Sequence, residues 1–471
     1  MFFRELYNEP LAQASYFVGC QATGEAVVID PNRDVEQYQR LAAEHGFRLV
    51  AVTETHIHAD FVSGARELAT LTGARLLLSG AGPADWRYDY AAEAGAELLV
   101  DGSSFTIGKL EFRALHTPGH TPEHLSLVLI DHARAPEPVG IFTGDLLFVG
   151  DVGRPDLLER AVGIGGAAEA GARFLFRSLK RLASLPDYVQ VWPGHGAGSA
   201  CGRALGAMPQ TTLGYERRFN WAFQIQDEDE FIRAVLEGQP ESPPYFAVMK
   251  RVNKHGPPLV ASLGPIGKLD LQRLRAVLGQ WVVVDARRAE DYARGHIPGT
   301  INLPFNRSFV AWAGWLLPYD RPIGLIIGED AAERAVKDLR LIGLDCVEGF
   351  WTPTVLDEWR ASGLELKTVA RLGVDRAREL IAKGEVHVLD VRRPDERARG
   401  HIPGSLHVPL AELIKGEANL PADRPLLVHC QTGARSALAV GLLSARGMRD
   451  LIDLEGGFSA WEKDEVAAGA R

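Results

Sequence analysis

Short apolar runs alternate with longer stretches of helical character along the whole chain. In the first half, runs such as AVVID, LVAVTET, LEFRAL and GIFTG predict strands, while residues 34–45 and 64–72 predict helices. In the second half, apolar β-branched runs alternate with helical stretches such as 330–342 and 433–446. Strands that alternate with helices are typical of parallel α/β sheets. The pattern therefore predicts a multidomain α/β protein.

The second half of the chain contains an internal repeat. Residues 282–304 read VVVDARRAEDYARGHIPGTINLP, and residues 388–409 read VLDVRRPDERARGHIPGSLHVP. Each copy is an apolar run, an Asp, an Arg pair, an acidic stretch and then Arg-Gly-His-Ile-Pro-Gly. The first half carries no copy of this unit, and a proline-rich segment separates the halves. We therefore expect three domains, at residues 1–250, 258–362 and 368–471.

Composition and charge narrow the classes of function. The 471 residues include 51 Lys and Arg against 61 Asp and Glu, a formal net charge of −10. This excess of acid argues against nucleic acid or an anionic membrane surface as the main partner, because both would repel it. No apolar run approaches the roughly 18 residues needed to span a bilayer. The N-terminal segment has no apolar signal core, so we expect a cytoplasmic protein.

Histidines and aspartates follow four of the predicted strands in the first domain. In chain order they are His56, His58, Asp60, His116, His120, Asp145 and His195. Alternate residues that leave a strand point the same way, so His56, His58 and Asp60 are expected to converge. Imidazole and carboxylate groups at several strand ends are typical of a metal site.

The ordered motifs THIHAD, HTPGHT, TGD and PGHG resemble the metallo-β-lactamase superfamily over about residues 1–230. The resemblance implies an αββα sandwich. Dinuclear hydrolases of this superfamily, such as glyoxalase II, carry a His directly after the Asp of the first motif, where this chain has Phe61. Because Phe61 cannot bind a metal ion, we expect one metal ion per chain.

Within the superfamily the chain resembles the persulfide dioxygenases, which implies Fe(II) on His56, His120 and Asp145, with zinc as the alternative. Two imidazoles and one carboxylate form the arrangement of non-haem Fe(II) oxygenases. The resemblance implies that three further residues orient these ligands through hydrogen bonds or bind metal themselves: His58, Asp60 and His195.

Two other residues of the first domain have two interpretations each. Arg154 either forms an ordinary salt bridge in its loop, or has a functional role in which it positions the substrate or orders the pocket. Cys201 lies in a Gly-rich segment six residues after His195. It is either a buried structural thiol or a catalytic thiol that carries sulfur near the iron. The segment around Cys201 resembles dioxygenases fused to sulfurtransferase domains.

The last domain resembles the rhodanese family over residues 368–465. Its strand PLLVH ends at Cys430, where backbone amides at the start of a helix would stabilise a thiolate or a persulfide. Four residues separate Cys430 from Arg435, which is the loop length of the sulfurtransferases, whereas the related phosphatases have five. We expect Cys430 and Arg435 to be catalytic. The remaining loop residues are expected to bind the substrate: Gln431, Thr432, Gly433, Ala434 and Ser436.

The middle copy has no cysteine at the equivalent place, where the sequence continues from Leu325 to Glu329 and Asp330. A carboxylate cannot accept sulfane sulfur and would repel anions. We therefore predict that residues 258–362 form a catalytically silent rhodanese-like domain, serving as a spacer or an interface. Such a domain is consistent with a homo-oligomer.

Together these features predict a bifunctional enzyme of sulfur metabolism with a role in sulfide detoxification. Iron-dependent oxidation of a small-molecule thiol persulfide by O₂ would give sulfite, and sulfur transfer at Cys430 would give thiosulfate. No nucleic acid or membrane partner is expected. Two alternatives stay open at this stage. One is a zinc thioester hydrolase of glyoxalase II type with regulatory rhodanese domains. The other is a sulfur-carrier module whose metal domain only binds a partner.

Overall fold

The computed structural model describes residues 1–157, 159, 166–203, 205–239 and 241–469, without the side chains of 465–469. It divides into two compact units, residues 1–264 with 339–343, and residues 265–338 with 344–471. Within the described ranges, none of the helices combines the length and the apolar character needed to cross a membrane.

The first unit begins with a six-stranded sheet and two helices. The strands are β1 (Phe2–Asn8), β2 (Gln13–Cys20), β3 (Glu25–Ile29), β4 (Arg48–Thr53), β5 (Arg75–Ser79) and β6 (Glu97–Leu99). They lie in sequence order; β1 to β3 are antiparallel, and β3 to β6 are parallel. Helices α1 (Glu36–His45) and α2 (Ala65–Thr72) connect the parallel strands.

A second six-stranded sheet follows in the same unit. Its strands are β7 (Ser104–Ile107), β8 (Leu110–His116), β9 (Leu125–Asp131), β10 (Pro138–Gly144), β11 (Gln190–Pro193) and β12 (Thr211–Thr212), in the order β12-β11-β10-β9-β8-β7. The later helices are α3 (Ala167–Leu182), α4 (Leu213–Phe219), α5 (Trp221–Gln224), α6 (Glu228–Leu236) and α7 (Tyr245–His255).

Apolar side chains on both faces of each sheet hold the first unit together. Tyr16 and Val18 of β2 pack between the two sheets, whereas Phe17 packs with the helices outside the first sheet. Leu175 and Leu179 of α3 cover the outer face of the second sheet. This alternation follows from the two-residue repeat of a strand. The predicted αββα sandwich is confirmed.

The predicted metal-binding motifs lie at one edge of this sandwich. Strands β8 and β10 both run antiparallel to β9, and β11 runs parallel to β10, so three carboxyl ends share one edge of the second sheet. The loop after β4 lies at the same edge, because the N–H group of Leu125, at the start of β9, donates to the Thr55 carbonyl over 2.8 Å. The topology therefore brings distant motifs together.

The second unit contains two five-stranded parallel sheets. The first consists of β13 (Gly267–Lys268), β14 (Val282–Asp285), β15 (Ile301–Asn302), β16 (Ile323–Ile326) and β17 (Val347–Trp351). The second consists of β18 (Ala370–Leu372), β19 (His387–Asp390), β20 (Leu406–His407), β21 (Leu426–His429) and β22 (Leu451–Leu454). The strand orders are β13-β17-β16-β14-β15 and β18-β22-β21-β19-β20. This identical topology confirms the internal repeat as two copies of one α/β fold.

Helices alternate with the parallel strands of both copies. Those of the first copy are α8 (Leu271–Val277), α9 (Ala289–Arg294), α10 (Phe309–Leu316), α11 (Glu329–Leu341) and α12 (Val355–Ala361). Those of the second copy are α13 (Val374–Ala382), α14 (Pro394–Ala398), α15 (Leu410–Lys415), α16 (Ala434–Ala445) and α17 (Gly457–Gly469). Helices α11 and α16 begin within one residue of their predicted starts. The predicted domain boundaries stay predictions.

Candidate functional site

The three residues predicted to bind a metal ion lie together in the first unit. Nε2 of His56 and Nε2 of His120 lie 3.9 and 3.5 Å from Oδ2 of Asp145. One ligand atom of each residue lies within 4.8 Å of the others, and all three residues are buried. Among the described residues, His56 Nε2 and both Asp145 oxygens have no hydrogen-bond partner. Unpaired buried polar atoms are costly, and a bound metal ion would satisfy these.

The other ring nitrogen of each histidine is held by a hydrogen bond. His56 Nδ1–H donates to the Thr55 hydroxyl over 2.9 Å, and this hydroxyl donates to Asp30 over 2.9 Å. His120 Nδ1–H donates to the Arg154 carbonyl over 3.1 Å. Such bonds select the tautomer whose Nε2 lone pair is free for a metal ion. The donor set therefore fits a metal ion.

The charge states of these groups also fit metal binding. Burial lowers the pKa of His56 and of His120 well below the ordinary histidine value, so both rings are neutral. Burial raises the pKa of Asp145 to about 6, although the His195 charge opposes this rise. A metal ion requires neutral imidazole and ionised carboxylate, and both forms are present at neutral pH.

Asp60, His195 and Cys201 form a second group on the other side of Asp145. His195 Nε2 lies 3.3 Å from Asp60 Oδ2 and 3.4 Å from Asp145 Oδ1. The Cys201 sulfur belongs to the same group, within 4.8 Å of the other ligand atoms. Burial raises the pKa of the Cys201 thiol well above its ordinary value, and the charges of Asp145 and Asp60 raise it further. Cys201 is thus both buried and adjacent to the candidate metal site.

The His58 ring lies beside the His56 ring, with centroids 4.2 Å apart, but His58 is in neither of the two ligand groups that contain His56 and Asp60. Its Nε2–H donates to Asp30 Oδ1 over 3.2 Å, and its ring packs against Phe61 with centroids 4.4 Å apart. Burial lowers the pKa of His58, but Asp30 outweighs burial and raises it to about 9. The bond to Asp30 sets the direction of this ring, because the extended strand ends at Thr53.

Arg154 is entirely buried, and its guanidinium group faces protein atoms. Nε and Nη2 donate to the two carboxylate oxygens of Asp156 over 3.1 and 2.8 Å. Nη1 donates to the carbonyl of Ala200, next to Cys201, over 3.0 Å. The ion pair with Asp156 is the salt bridge of the first interpretation, and the bond to Ala200 connects this loop to the segment that carries Cys201. Binding of substrate by Arg154 stays a prediction.

Sequence reasoning missed two residues that support the candidate metal site. Asp30 accepts the Thr55 amide over 2.6 Å, in addition to its bonds with the Thr55 hydroxyl and His58. His124 Nε2 accepts the Asp145 amide over 3.2 Å. Asp30 directly follows strand β3, so the strand-end signal that found Asp145 could have found it as well. For His124 the available signal was its place four residues after His120.

In the second unit, Cys430 directly follows β21, and its loop leads into α16. The Gly433 amide donates to Cys430 Sγ over 3.2 Å. Both terminal nitrogens of Arg435 donate to the carboxylate of Glu396 over 2.6 Å each. Amides at the start of a helix favour an anionic sulfur atom. The arrangement therefore suits a thiolate or a persulfide.

The other predicted loop residues surround Cys430 at different depths. Gln431 accepts from Arg392 over 3.0 Å and donates to Ser459 over 3.0 Å. The buried Ser436 hydroxyl contacts Asp453 Oδ1 at 2.6 Å. Thr432 and Ala434 are exposed, and Gly433 is half-buried. Thr432 and Ala434 therefore form the solvent-accessible part of the Cys430 loop.

The equivalent position of the middle copy lacks both the thiol and the loop. Strand pairing places Ile326 opposite Asp285, as it places His429 opposite Asp390, so Ile327 occupies the position of Cys430. Helix α11 begins two residues after Ile327, whereas α16 begins four residues after Cys430. The middle copy therefore has a shorter connection between its strand and helix α11, without the longer loop that carries Gly433 in the last copy.

Comparisons with known proteins support both parts of the chain. The family described as "Metallo-beta-lactamase superfamily" matches residues 8–195, and the "Rhodanese-like domain" matches residues 270–347 and 373–464. A solved structure of a metallo-beta-lactamase from Staphylococcus aureus subsp. aureus COL is 41% identical. It has a TM-score of 0.67 and covers 75% of this chain and 99% of its own.

Two curated relatives represent different chemistries. Persulfide dioxygenase ETHE1, mitochondrial, of Bos taurus is 31% identical over 198 residues, which are 41% of this chain and 67% of that protein. Hydroxyacylglutathione hydrolase of Pseudomonas entomophila strain L48 is 33% identical over 177 residues, 37% of this chain and 58% of that protein. The chain therefore belongs to the metallo-β-lactamase superfamily, with persulfide dioxygenases among its homologues, and it carries rhodanese-like domains in the same polypeptide.

Proposed function

We propose that the protein is a bifunctional enzyme of sulfur metabolism, with a persulfide dioxygenase site in the first unit and a sulfurtransferase site at Cys430. In the first reaction a thiol persulfide RSSH, O₂ and water give RSH and sulfurous acid, with sulfur oxidised and O₂ reduced. In the second reaction sulfite accepts a sulfane sulfur and becomes thiosulfate. The proposal is carried by one observation, the buried His56, His120 and Asp145 group in a chain that also holds the Cys430 loop.

His56, His120 and Asp145 would hold one Fe(II). When bound, iron supplies a binding position for the persulfide sulfur and activates O₂. Asp60 and His195 lie next to Asp145 and would orient it once a metal ion is bound. Cys201 would attack the sulfane sulfur of RSSH while its thiol proton passes to the leaving sulfur, so that a new S–S bond forms on Cys201 and RSH leaves. The sulfur to be oxidised would then be held beside the metal site.

Cys430 would carry the second reaction through its own persulfide. The Cys430 thiolate attacks the sulfane sulfur of a donor, and the donor leaves as its thiolate or as sulfite. Sulfite then attacks the terminal sulfur, the S–S bond to Cys430 breaks, and thiosulfate leaves. The Gly433 amide and the start of α16 stabilise the anionic sulfur at each stage. The fusion is chemically consistent because the product of the first site is the acceptor of the second.

Oxygen uptake by the full chain tests the proposal directly. The metal-free protein is loaded anaerobically with Fe(II) and mixed with glutathione persulfide in an oxygen electrode. We expect rapid O₂ uptake with sulfite and thiosulfate as products, and no uptake by the matched His56→Ala variant. Iron-loaded protein that binds persulfide but consumes no O₂ would contradict the proposal.

A zinc thioester hydrolase is the second candidate. The Asp60, His195 and Cys201 group could take part in a second metal site, and a hydroxyacylglutathione hydrolase is among the relatives. Against it, Phe61 replaces a ligand of the dinuclear hydrolases, and His58 is bonded to Asp30. Two zinc ions per chain and turnover of S-lactoylglutathione would favour the hydrolase. One iron per chain and no thioester turnover would favour the dioxygenase.

A further inference from the structure

Asn253, on helix α7, contacts the loop that carries His56 and Asp60. Its side-chain Nδ2 donates to the His58 carbonyl over 2.8 Å and to the Phe61 carbonyl over 2.7 Å. Its Oδ1 accepts the Ser63 amide over 2.9 Å. Asn253 is 1% exposed, so all three hydrogen bonds are shielded from water. One side chain thus binds three backbone groups across six residues of this loop.

The loop depends on such contacts because it is both irregular and buried. Residues 56–64 are all buried, and they lie between strand β4 and helix α2. A buried loop cannot leave its backbone amides and carbonyls to water, so side chains must satisfy them. Asp30 accepts the Thr55 amide and Glu123 accepts the Ile57 amide, over 2.6 and 2.8 Å. Asn253 provides the corresponding support for the second half of the loop.

We propose that Asn253 is a positioning residue for the metal site, which holds the loop of residues 56–63 in its ligand-presenting conformation before a metal ion binds. The three hydrogen bonds of Asn253 go to backbone groups, so it acts on the ligands through the loop backbone. The inference rests on the proposed function only in taking His56, His120 and Asp145 as the metal site. Partners that orient ligands in this way typically change metal affinity by about 10- to 100-fold when they are removed.

Co(II) titration of the metal-free full chain tests the proposal, with the d–d absorption of the bound ion as the readout. The main variant is Asn253→Asp, which has the same size and can still accept the Ser63 amide. Its carboxylate cannot donate to the carbonyls of His58 and Phe61. We expect the Co(II) dissociation constant to rise by about 10- to 100-fold, with an altered spectrum. The matched control is Arg251→Ala, an exposed position on the same helix, which should bind as the wild type does.

The outcomes separate this inference from the proposed function. Wild-type protein that binds no Co(II), or binds it equally well after His56→Ala, would overturn the metal site and the positioning role together. Wild-type affinity and spectrum in Asn253→Asp would overturn the positioning role alone and leave the metal site standing.

Hydrogen exchange of the metal-free wild type provides a second test that needs no variant and so does not depend on whether Asn253→Asp folds. If Asn253 organises the loop in advance, the Ser63 amide that donates to it should exchange as slowly as the amides of β4 in the absence of metal. Exchange at the rate of an exposed loop, with protection only after Co(II) is added, would show that the metal organises the loop and would overturn the proposal.

Discussion

The side chains of the candidate metal site have polar atoms that the surrounding protein leaves unpaired. Among the described residues, His195 Nε2 and both Asp60 oxygens are buried without a hydrogen-bond partner, as are the His56 and Asp145 atoms. The Nδ1 atom of each of these two histidines does form a hydrogen bond. His195 Nδ1–H, for example, donates to the Ala12 carbonyl over 3.0 Å. Buried polar atoms without partners lower the stability of the fold unless a ligand binds to them. At the residue scale these unpaired nitrogen and oxygen atoms are therefore available to bind a metal ion.

The affinity for metal should fall as the pH falls through about 6. Burial raises the pKa of Asp145 to about 6, so below this pH the carboxyl group is protonated and a metal ion must displace the proton. One displaced proton corresponds to about tenfold weaker binding per pH unit. Co(II) titrations between pH 5 and 7.5 measure the slope. Constant affinity from pH 7 to 5 would contradict the role of Asp145 as a ligand.

Replacement of the Cys201 thiol should reduce persulfide oxidation without loss of the fold. We expect Cys201→Ser to lower O₂ uptake with glutathione persulfide by at least about tenfold, because the hydroxyl cannot carry sulfane sulfur. Cys20→Ser, another buried thiol in the first unit, serves as the matched control and should keep full activity. Equal turnover in both variants would show that Cys201 is a structural thiol.

At the scale of elements, strand ends determine where the ligands lie. Asp145 directly follows β10, whose last residue Gly144 has a φ of +48°. A Cβ atom at Gly144 would lie 2.5 Å from Thr55 Oγ1 and 2.8 Å from His124 Nε2. Both neighbours support the site, since Thr55 bonds His56 and His124 bonds the Asp145 amide. The end of β10 can therefore carry only glycine without disturbing two ligands.

Two glycine variants separate backbone strain from this close approach. Gly144 and Gly150 both have positive φ, at +48° and +76°, but a Cβ at Gly150 would meet open space. An alanine in the left-handed region costs about 1–2 kcal/mol, so both substitutions should lower the urea midpoint. Only Gly144→Ala should also weaken Co(II) binding, because it displaces Thr55 and His124. Equal Co(II) affinity in the two variants would contradict the importance of this contact.

At the scale of the whole molecule, the two candidate sites lie in different units with separate cores. The metal group belongs to the sandwich of the first unit, and the Cys430 loop belongs to a parallel sheet of the second. The middle copy keeps the same sheet order without the thiol or its loop. Two chemistries in separate cores should respond to different perturbations.

The two activities should accordingly be lost one at a time. Removal of the metal by a chelator should abolish O₂ uptake and leave sulfur transfer from thiosulfate to cyanide unchanged. Cys430→Ser should abolish sulfur transfer and thiosulfate formation while O₂ uptake survives. The matched control is Cys346→Ser, a half-exposed thiol of the middle copy. Loss of O₂ uptake in Cys430→Ser would contradict two separable sites.

The amino-acid sequence by itself determined the class of fold, the duplication and the candidate chemistry. Apolar periodicity, the repeated Arg-Gly-His-Ile-Pro-Gly motif and the histidines after successive strands are local features, so they are readable without coordinates. The Cys430 loop and its absence from the middle copy were predictable for the same reason. Residues that are neighbours in the sequence stay close in the structure, however the rest of the molecule packs.

Only the tertiary structure decided which side chains meet. His58 belongs to the same short motif as His56, yet it bonds Asp30, because the loop after β4 is irregular and alternation no longer governs direction. Cys201 and Asp60 are 141 positions apart in the chain and lie in one group. Asn253 follows His58 by 195 positions, and no local pattern marks it. Contacts between residues so far apart in the sequence depend on how sheets and helices pack. A short sequence motif does not determine that packing.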